Sequence, residues 1–178
     1  MKRAIMLILV TFLLVGCMTN KVSSSNEGIQ NNNEPVSEST LKKQQYSFGP
    51  MADLSRIDDA TKQELQNHLD KLGDPPTNRI TFNGISAFYN EDGSLLVDIF
   101  IRNGYSYSVF NLEATLDIIK DGKIIASAPF YFNVQEFGEL PSNVSRPWTI
   151  LYYPEDIKFK ENQLSEFDIN VNNLQYEY

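Results

Sequence analysis

From residue 79 to the C-terminus, apolar and polar side chains alternate with a period of two, which is typical of β-strands with one buried face. The alternation predicts strands at about residues 79–87, 95–101, 110–118, 123–134, 148–153 and 167–174. Asp121-Gly122, set between two apolar runs, predicts a tight hairpin, whereas Asn83-Gly84 interrupts a run and predicts a bulge or turn. No helical pattern long enough for a parallel crossover separates the strands. Residues 77–178 are therefore expected to form an all-β, antiparallel, immunoglobulin-like β-sandwich of about six to seven strands.

A helical period precedes this region. Three leucines fall on one face of a helix: Leu65, Leu69 and Leu72. Gly73 and two prolines follow them and predict the end of the helix. Ser55 with Asp58 offers a capping pattern near its start. Residues 46–76 are therefore expected to be a lead-in that contains one short amphipathic helix over residues 58–72.

The N-terminus has a third pattern. Lys2 and Arg3 precede an unbroken apolar run over residues 4–15, and Cys17 follows a glycine directly after it. The run is shorter than the ~20 residues that a membrane-spanning helix needs. Its layout is that of a bacterial lipoprotein signal, so residues 1–16 are expected to be removed and Cys17 to carry a diacylglyceryl group. Two acyl chains suffice for stable anchoring, which predicts a location on the extracellular face of the cell membrane.

The segment after Cys17 is polar and of low complexity. It consists of Ser, Asn, Glu, Gln and Lys with almost no apolar side chains, and includes a run of three serines and a run of three asparagines. Such a composition does not bury enough surface to offset the entropy of ordering. Residues 17–45 are therefore expected to comprise the lipidated cysteine and a disordered spacer with a coil span of roughly 30 Å.

Composition excludes several kinds of site. The chain has one histidine, His68, and one cysteine, so neither an intramolecular disulfide nor a metal site built from His and Cys clusters is possible. A net charge of −8 argues against nucleic-acid binding, which needs a basic face. The sequence contains no Gly-rich phosphate loop. We therefore expect no cofactor, no metal and no nucleic-acid partner.

Paired carboxylates keep one catalytic alternative open. The pairs are Asp58/Asp59, Glu91/Asp92 and Glu155/Asp156. Two acids that face each other across a cleft hydrolyse glycosides, but these pairs fall at a helix start and in turns, where acids are common for local reasons. The turn at residues 90–93 also carries oxygen ligands suited to calcium, although a plain hairpin is the simpler interpretation. No catalytic residue and no metal ligand is therefore predicted.

Short fragments of the β region are informative through their order and spacing. They are residues 100–104 (FIRNG), 110–112 (FNL), 125–126 (IA) ahead of Phe130, 140–143 (LPSN), 145–149 (SRPWT), 153–155 (YPE) and 164–167 (LSEF). Together they resemble the SLAP domain of Gram-positive surface proteins over residues 78–174. Gln163 and Phe167 stand where that family carries an aspartate and a tryptophan. Its members are associated with S-layer assembly and an accessory Sec export system, so the resemblance implies a surface location and a binding or assembly role without catalytic residues.

Aromatic residues make up 12% of the chain and supply the candidate contacts. Exposed tyrosines are typical of protein or carbohydrate contacts, and the alternative is that they fill the core. Six residues beside predicted turns are taken as candidate binding residues: Tyr105, Tyr107, Phe110, Asn143, Arg146 and Trp148. Trp148 is also expected to fill the core. Arg146 is expected either to cover the Trp148 ring or to pair with Glu155 or Asp156.

These observations favour a lipid-anchored extracellular surface protein with a non-catalytic domain. That domain would bind an envelope protein or a cell-wall polymer in cell-envelope or S-layer-type assembly or export. One alternative is an accessory lipoprotein that binds polysaccharide or a solute. The other is an envelope hydrolase that uses the paired acids.

Overall fold

The computed structural model describes residues 44–161 and 164–178. These ranges contain seven strands, one α-helix and two single-turn 3-10 helices. The strands are β1 (Gln45–Tyr46), β2 (Ile80–Tyr89), β3 (Leu95–Asn103), β4 (Phe110–Lys120), β5 (Lys123–Phe132), β6 (Val144–Tyr152) and β7 (Asp168–Glu177). The helix α1 spans Asp59–Leu72, and the 3-10 helices span Leu54–Arg56 and Pro154–Asp156. The predicted signal peptide, Cys17, most of the predicted spacer and Gln163 lie outside the described residues.

Helix α1 confirms the predicted amphipathic helix but not its cap. Asp58 is the N-cap, and its carboxylate accepts a 2.7 Å hydrogen bond from the Thr61 N–H. The capping pattern proposed for Ser55 is wrong, because Ser55 lies in the first 3-10 helix and donates its own N–H to Asp53. Leu69 is the buried residue of the helix, as its narrow apolar stripe predicts. Within the described ranges, no helix has the length and apolar character needed to cross a membrane.

The strands form two sheets, with the orders β1-β6-β3-β2 and β5-β4-β7. The pairs are antiparallel as predicted, except that β1 runs parallel to β6. Asp121 and Gly122 join β4 to β5 with φ values of 50° and 74°, the positive values that a type I′ hairpin turn requires. The register of β2 shifts between Gly84 and Ser86, so the Asn83-Gly84 signal marks a bulge within one strand.

The two sheets bury their inner faces against each other. Alternate side chains of β3 and β4 form the centre of this core, with Val97, Ile99, Leu112 and Leu116 at 0% exposure. Tyr152 on β6 is also fully buried, and its hydroxyl donates a 3.0 Å hydrogen bond to the Leu116 carbonyl on β4. Burial, together with the nearby carboxylates of Asp117 and Asp156, raises the pKa of Tyr152, so the hydroxyl keeps its proton and stays a donor.

The lead-in segment covers the outer face of the four-stranded sheet. Phe100 points to this face and is fully buried, with the rings of Tyr46 and His68 centred 6.3 and 6.1 Å from its own. The Tyr46 hydroxyl donates to the Lys62 carbonyl on α1, and His68 Nε2 lies 3.1 Å from the Gly84 carbonyl on β2. The helix and the β region therefore belong to one compact unit.

The predicted spacer is too long at its C-terminal end. Gln44 is only 7% exposed, and its Oε1 accepts a 2.7 Å hydrogen bond from Arg102 on β3. Gln45 pairs with Val144, and Tyr46 with the next residue of β6. The placement of residues 44 and 45 in the spacer is therefore wrong, because tertiary hydrogen bonds hold them in the fold. Such bonds leave no periodic pattern in a polar sequence.

Candidate binding surface

The six candidate residues divide between two places in the fold. Tyr105 and Tyr107 lie in the loop between β3 and β4, and Phe110 is the half-buried first residue of β4. Asn143 lies near them, because its amide donates to the Ser142 hydroxyl, which in turn donates to the Tyr105 carbonyl at 2.8 Å. The other two candidates, Arg146 and Trp148, lie on β6, and both pack against the Phe137 ring.

Arg146 is a buried structural residue, with only 4% of its surface exposed. Its Nε donates to the Ser47 carbonyl at 3.1 Å, its Nη2 to the Ser47 hydroxyl at 3.0 Å, and its Nη1 to the Phe137 carbonyl. The guanidinium lies over the Phe137 ring instead of the Trp148 ring, and its donors bind neutral oxygens instead of Glu155 or Asp156. Both expectations for its partner are therefore wrong. Burial lowers the pKa of Arg146 from its ordinary value.

Trp148 packs against the core without filling it. Its side chain is half-buried, and its ring meets the Phe137 ring edge-on with centroids 5.3 Å apart. Phe137 itself is fully buried. The expectation that Trp148 fills the core is corrected accordingly, because Phe137, from the loop between β5 and β6, is the buried core residue at this place.

Four tyrosines form one contiguous group, which we call the tyrosine cluster: Tyr105, Tyr107, Tyr176 and Tyr178. Tyr105 stacks on Tyr107 with centroids 4.8 Å apart and lies 5.7 Å from Tyr176. Tyr178 lies 5.0 Å from Tyr107 and 6.5 Å from Tyr176. The outer rings are accessible, with Tyr107 37% and Tyr178 82% exposed. The cluster therefore joins the β3–β4 loop to the end of β7.

The buried side chain of Asn103 holds the loop half of the cluster in place. Its Oδ1 accepts a 2.8 Å hydrogen bond from the Tyr105 N–H. Its Nδ2 contacts the carbonyls of Tyr107, Leu140 and Pro141 at 2.8, 3.0 and 3.2 Å. Asn103 is 0% exposed, so this network fixes the loop from within the protein. In the sequence, Asn103 stands out only as part of the fragment at residues 100–104, and this role was not predicted.

Tyr176 lies at the centre of the hydrogen bonding in the tyrosine cluster. Hydrogen bonding with the side chain of Tyr105, together with burial and a further hydrogen bond with Tyr107, raises the pKa of Tyr176. The hydroxyl therefore keeps its proton and remains able to donate as well as accept. Tyr176 and Tyr178 are not among the candidates from the sequence. Their alternation at the end of the last strand is the signal that could have added them.

One acid of each pair, and the histidine, has a local structural partner. Asp58 caps α1, and Asp92 accepts both the N–H and the hydroxyl of Ser94 at 2.9 and 2.6 Å. Asp156 accepts the Tyr153 N–H at 3.0 Å, and His68 contacts a backbone carbonyl. Across residues 44–161 and 164–178, no group of three or more His, Cys, Asp or Glu side chains is placed to hold a metal ion.

Comparison with known proteins gives one match. The sequence model of the SLAP domain family matches residues 47–173, more than half of the chain. The match includes α1 as well as the loop that carries Tyr105 and Tyr107, so it begins well before residue 78, where the resemblance seen in the sequence starts. It ends before Tyr176 and Tyr178. No curated protein and no solved structure matches the chain.

Proposed function

Because this chain belongs to the SLAP domain family, we propose that it is a lipid-anchored protein of the extracellular surface whose non-catalytic domain binds an envelope protein. Family membership indicates a surface or S-layer-associated protein. The proposed role is assembly or export at the cell envelope, with the tyrosine cluster as the contact surface.

The anchoring part of the proposal is supported by the N-terminal sequence. Two basic residues, a short apolar run and Cys17 have the order of a lipoprotein signal. The polar residues that follow Cys17 would then separate the membrane from the folded unit. The acidic balance of the chain, with a net charge of −8, gives no attraction to anionic lipid, so the lipid on Cys17 would provide the attachment.

The single observation that supports the binding role best is the tyrosine cluster. Tyrosine is enriched at protein interfaces because a large ring with few rotatable bonds loses little entropy on binding. The cluster presents accessible rings at Tyr107 and Tyr178, and Asn103 fixes the loop beneath them. A preorganised aromatic surface of this kind favours a binding domain over a hydrolase.

The order of the strands supports an immunoglobulin-like arrangement. In such sandwiches, strands A, B and E share one sheet, whereas C, F and the additional C′ share the other. The orders β2-β3-β6 and β5-β4-β7 correspond to A-B-E and C′-C-F. The immunoglobulin-like class therefore remains part of the proposal, with β1 as an added parallel strand.

A photo-crosslinking experiment on intact cells tests the proposed contact surface. A photoreactive phenylalanine analogue replaces Tyr107 in the full-length protein, and a matched control carries it at Phe159, an aromatic residue that is 57% exposed outside the cluster. We expect a discrete protein adduct from position 107 and none from position 159. Adducts with wall polymer alone would favour the polysaccharide-binding alternative. Equal labelling from both positions would contradict the proposal.

A further inference from the structure

An open groove of about 470 Å³ lies beside the tyrosine cluster, on the outer face of the three-stranded sheet. We call it the acidic groove. Its walls come from all three strands of the sheet, β4, β5 and β7. It is lined by Asn111, Glu113, Tyr131, Gln175, Tyr176 and Glu177. Tyr176 is a lining residue of the groove and also belongs to the tyrosine cluster, so the two surfaces adjoin at this residue.

The groove carries negative charge and unused hydrogen-bonding groups. Among the residues that the structure describes, the Glu113 carboxylate, the Gln175 amide and the Tyr131 hydroxyl have no hydrogen-bond partner. Two of the six lining residues are glutamates, and none is lysine or arginine. The Tyr131 side chain is 58% exposed, so its ring is available to a ligand. A ligand that complements these groups must bring positive charge and hydrogen-bond donors.

The backbone register places these groups side by side. Glu113 on β4 pairs with Tyr131 on β5 and with Gln175 on β7. The Cβ atoms of directly paired residues are about 4.5–5.5 Å apart, so a carboxylate, an aromatic ring and an amide form one row across the sheet. One ligand group placed over Glu113 therefore reaches all three side chains.

Irregularities in the two strands and one asparagine shape the wall of the groove. The register of β4 against β7 shifts on both sides of Glu113. Asn111 and Asn173 adopt positive φ values of 49° and 53°, which bulges use to redirect a strand. The Asn111 side chain accepts from the Val134 N–H at 3.1 Å and donates to the Glu177 carboxylate at 3.0 Å. The second carboxylate of the groove is thus held in a fixed position.

We propose that the acidic groove binds an arginine side chain of the protein partner, presented by a basic segment that lies next to the tyrosine cluster. This rests on the proposed function, in which the partner is a protein. The guanidinium is planar, always charged and carries five N–H donors in a fork. It can bind the Glu113 carboxylate through two hydrogen bonds while it stacks on the Tyr131 ring, and Gln175 accepts a further N–H.

Other classes of ligand fit the same groups less well. Phosphate-bearing polymers and anionic lipid headgroups would be repelled by Glu113 and Glu177. An uncharged glycan would bind the amide and the ring but would leave the carboxylates without a countercharge. The charge of the groove therefore favours a cationic segment, and glycan binding becomes an outcome that the experiment can detect.

Short labelled peptides test the inference directly. The full-length protein in non-ionic detergent micelles is titrated, by fluorescence anisotropy, with a glycine-spaced peptide that carries two arginines. A matched peptide carries citrulline, which keeps the shape of arginine but has no charge. We expect the arginine peptide to bind about tenfold more tightly than the citrulline peptide at low salt. The difference should vanish near ~1 M salt, where the Debye length is ~3 Å.

Charge-matched variants separate the groove from the general acidity of the protein. Glu113→Gln removes one charge in the groove, and Glu91→Gln removes one from the exposed turn between β2 and β3. Glu113→Gln should weaken arginine-peptide binding about three- to tenfold and leave citrulline-peptide binding unchanged. Glu91→Gln should have no effect. Equal effects of the two variants would overturn the inference, as would equal affinity for the two peptides.

The two proposals fail in different ways. If photo-crosslinking at Tyr107 identifies a protein partner but Glu113→Gln does not weaken the arginine peptide, the groove inference is wrong and the proposed function stands. If no protein partner is captured and a chitin hexasaccharide competes with the arginine peptide, the groove binds glycan. That result would overturn both the inference and the protein-binding function.

Discussion

Arg146 and Phe137 form a single packed pair: the guanidinium lies 5.0 Å from the centroid of the Phe137 ring and donates to the carbonyl of the same residue. Two further N–H donors of Arg146 bind Ser47. One buried side chain on β6 therefore connects the β5–β6 loop to the start of the folded unit. All its acceptors are neutral, so hydrogen bonding and packing, without an ion pair, hold this cation in the interior.

Replacing Arg146 should destabilise the fold. Arg146→Ala leaves the carbonyls of Ser47 and Phe137 without donors and removes the packing over the ring, so we expect a loss of roughly 3 kcal/mol in the free energy of unfolding. Urea denaturation measures it. Arg79→Ala, at an exposed position, is the control and should change stability by less than about 0.5 kcal/mol. Equal losses in the two variants would contradict the buried role of Arg146.

Trp148 should matter less than a fully buried aromatic residue. Because its ring is half-buried, Trp148→Ala should lower the free energy of unfolding by roughly 2 kcal/mol, below the ~3–5 kcal/mol typical of large buried aromatics. Phe137→Ala, at a fully buried position, should fall within that higher range. The same denaturation measurement compares them. A larger loss from Trp148→Ala than from Phe137→Ala would show that Trp148 is the central core residue.

Two deletions with different end points should separate the spacer from the fold. Removing residues 18–39 should leave the melting temperature unchanged. Removing residues 18–45 also removes β-pairing to Val144 and the Gln44–Arg102 hydrogen bond, so it should lower the melting temperature by roughly 5 °C. Differential scanning calorimetry provides the comparison. Identical melting temperatures would mean that residues 44 and 45 contribute nothing to stability.

Asp117 should make the fold sensitive to acid. Burial raises its pKa, but hydrogen bonds from Ser127, Asn170 and Asn172 outweigh burial and hold the pKa of Asp117 below the ordinary value of 3.8. The unfolded chain therefore takes up this proton first. The stabilisation is complete above the unfolded-state pKa and is lost as the pH falls through the folded-state pKa.

The variant Asp117→Asn tests that pH dependence. It should lower stability at neutral pH by about 1–3 kcal/mol, and the difference from the wild type should shrink as the pH falls below about 4. Melting temperatures recorded across the acid range measure this. Asp121→Asn, in the exposed β4–β5 turn, is the control and should follow the wild-type curve. A constant difference at every pH would show that Asp117 acts through packing alone.

Cys17 should determine where the protein resides. Cys17→Ala removes the sulfur that would carry the lipid, so the protein should appear in the medium or remain unprocessed in the cell. Fractionation of membranes and medium, with mass spectrometry of the N-terminus, distinguishes these outcomes. Met18→Ala is the control and should keep wild-type retention. Unchanged membrane retention of Cys17→Ala would contradict the lipid anchor.

The period-two and helical patterns predicted most of the regular structure. The strands β2 to β7, helix α1 and the Asp121-Gly122 hairpin all appear in the fold, because each has a local signal in the sequence. Strand β1 was missed because it has only two residues, which are too few to show an alternation of apolar and polar side chains. Its position depends on Val144 and on Arg102, which is fifty-eight residues away from Gln44 in the chain.

The candidate surface was predicted in part. Tyr105 and Tyr107 were identified because two tyrosines after a turn are unusual, and the structure places both in the tyrosine cluster. Arg146 was chosen because it is a polar residue near a predicted turn. It is buried instead, because its guanidinium binds Ser47, which lies ninety-nine residues earlier in the chain. Glu113 in the acidic groove was not identified, because its neighbours come from strands distant in sequence.

The short parallel strand β1 has a mechanical consequence. In a protein held by Cys17, a pull on the tether reaches β1 before it reaches the strands β2 to β7. The pairing with β6 and the hydrogen bonds that link Gln44 and Tyr46 to Arg102, Gln66 and Lys62 resist that pull. Under tension β1 should detach first and lengthen the tether, while the strands β2 to β7 stay paired. The domain would then remain bound to its partner while the envelope around it moves.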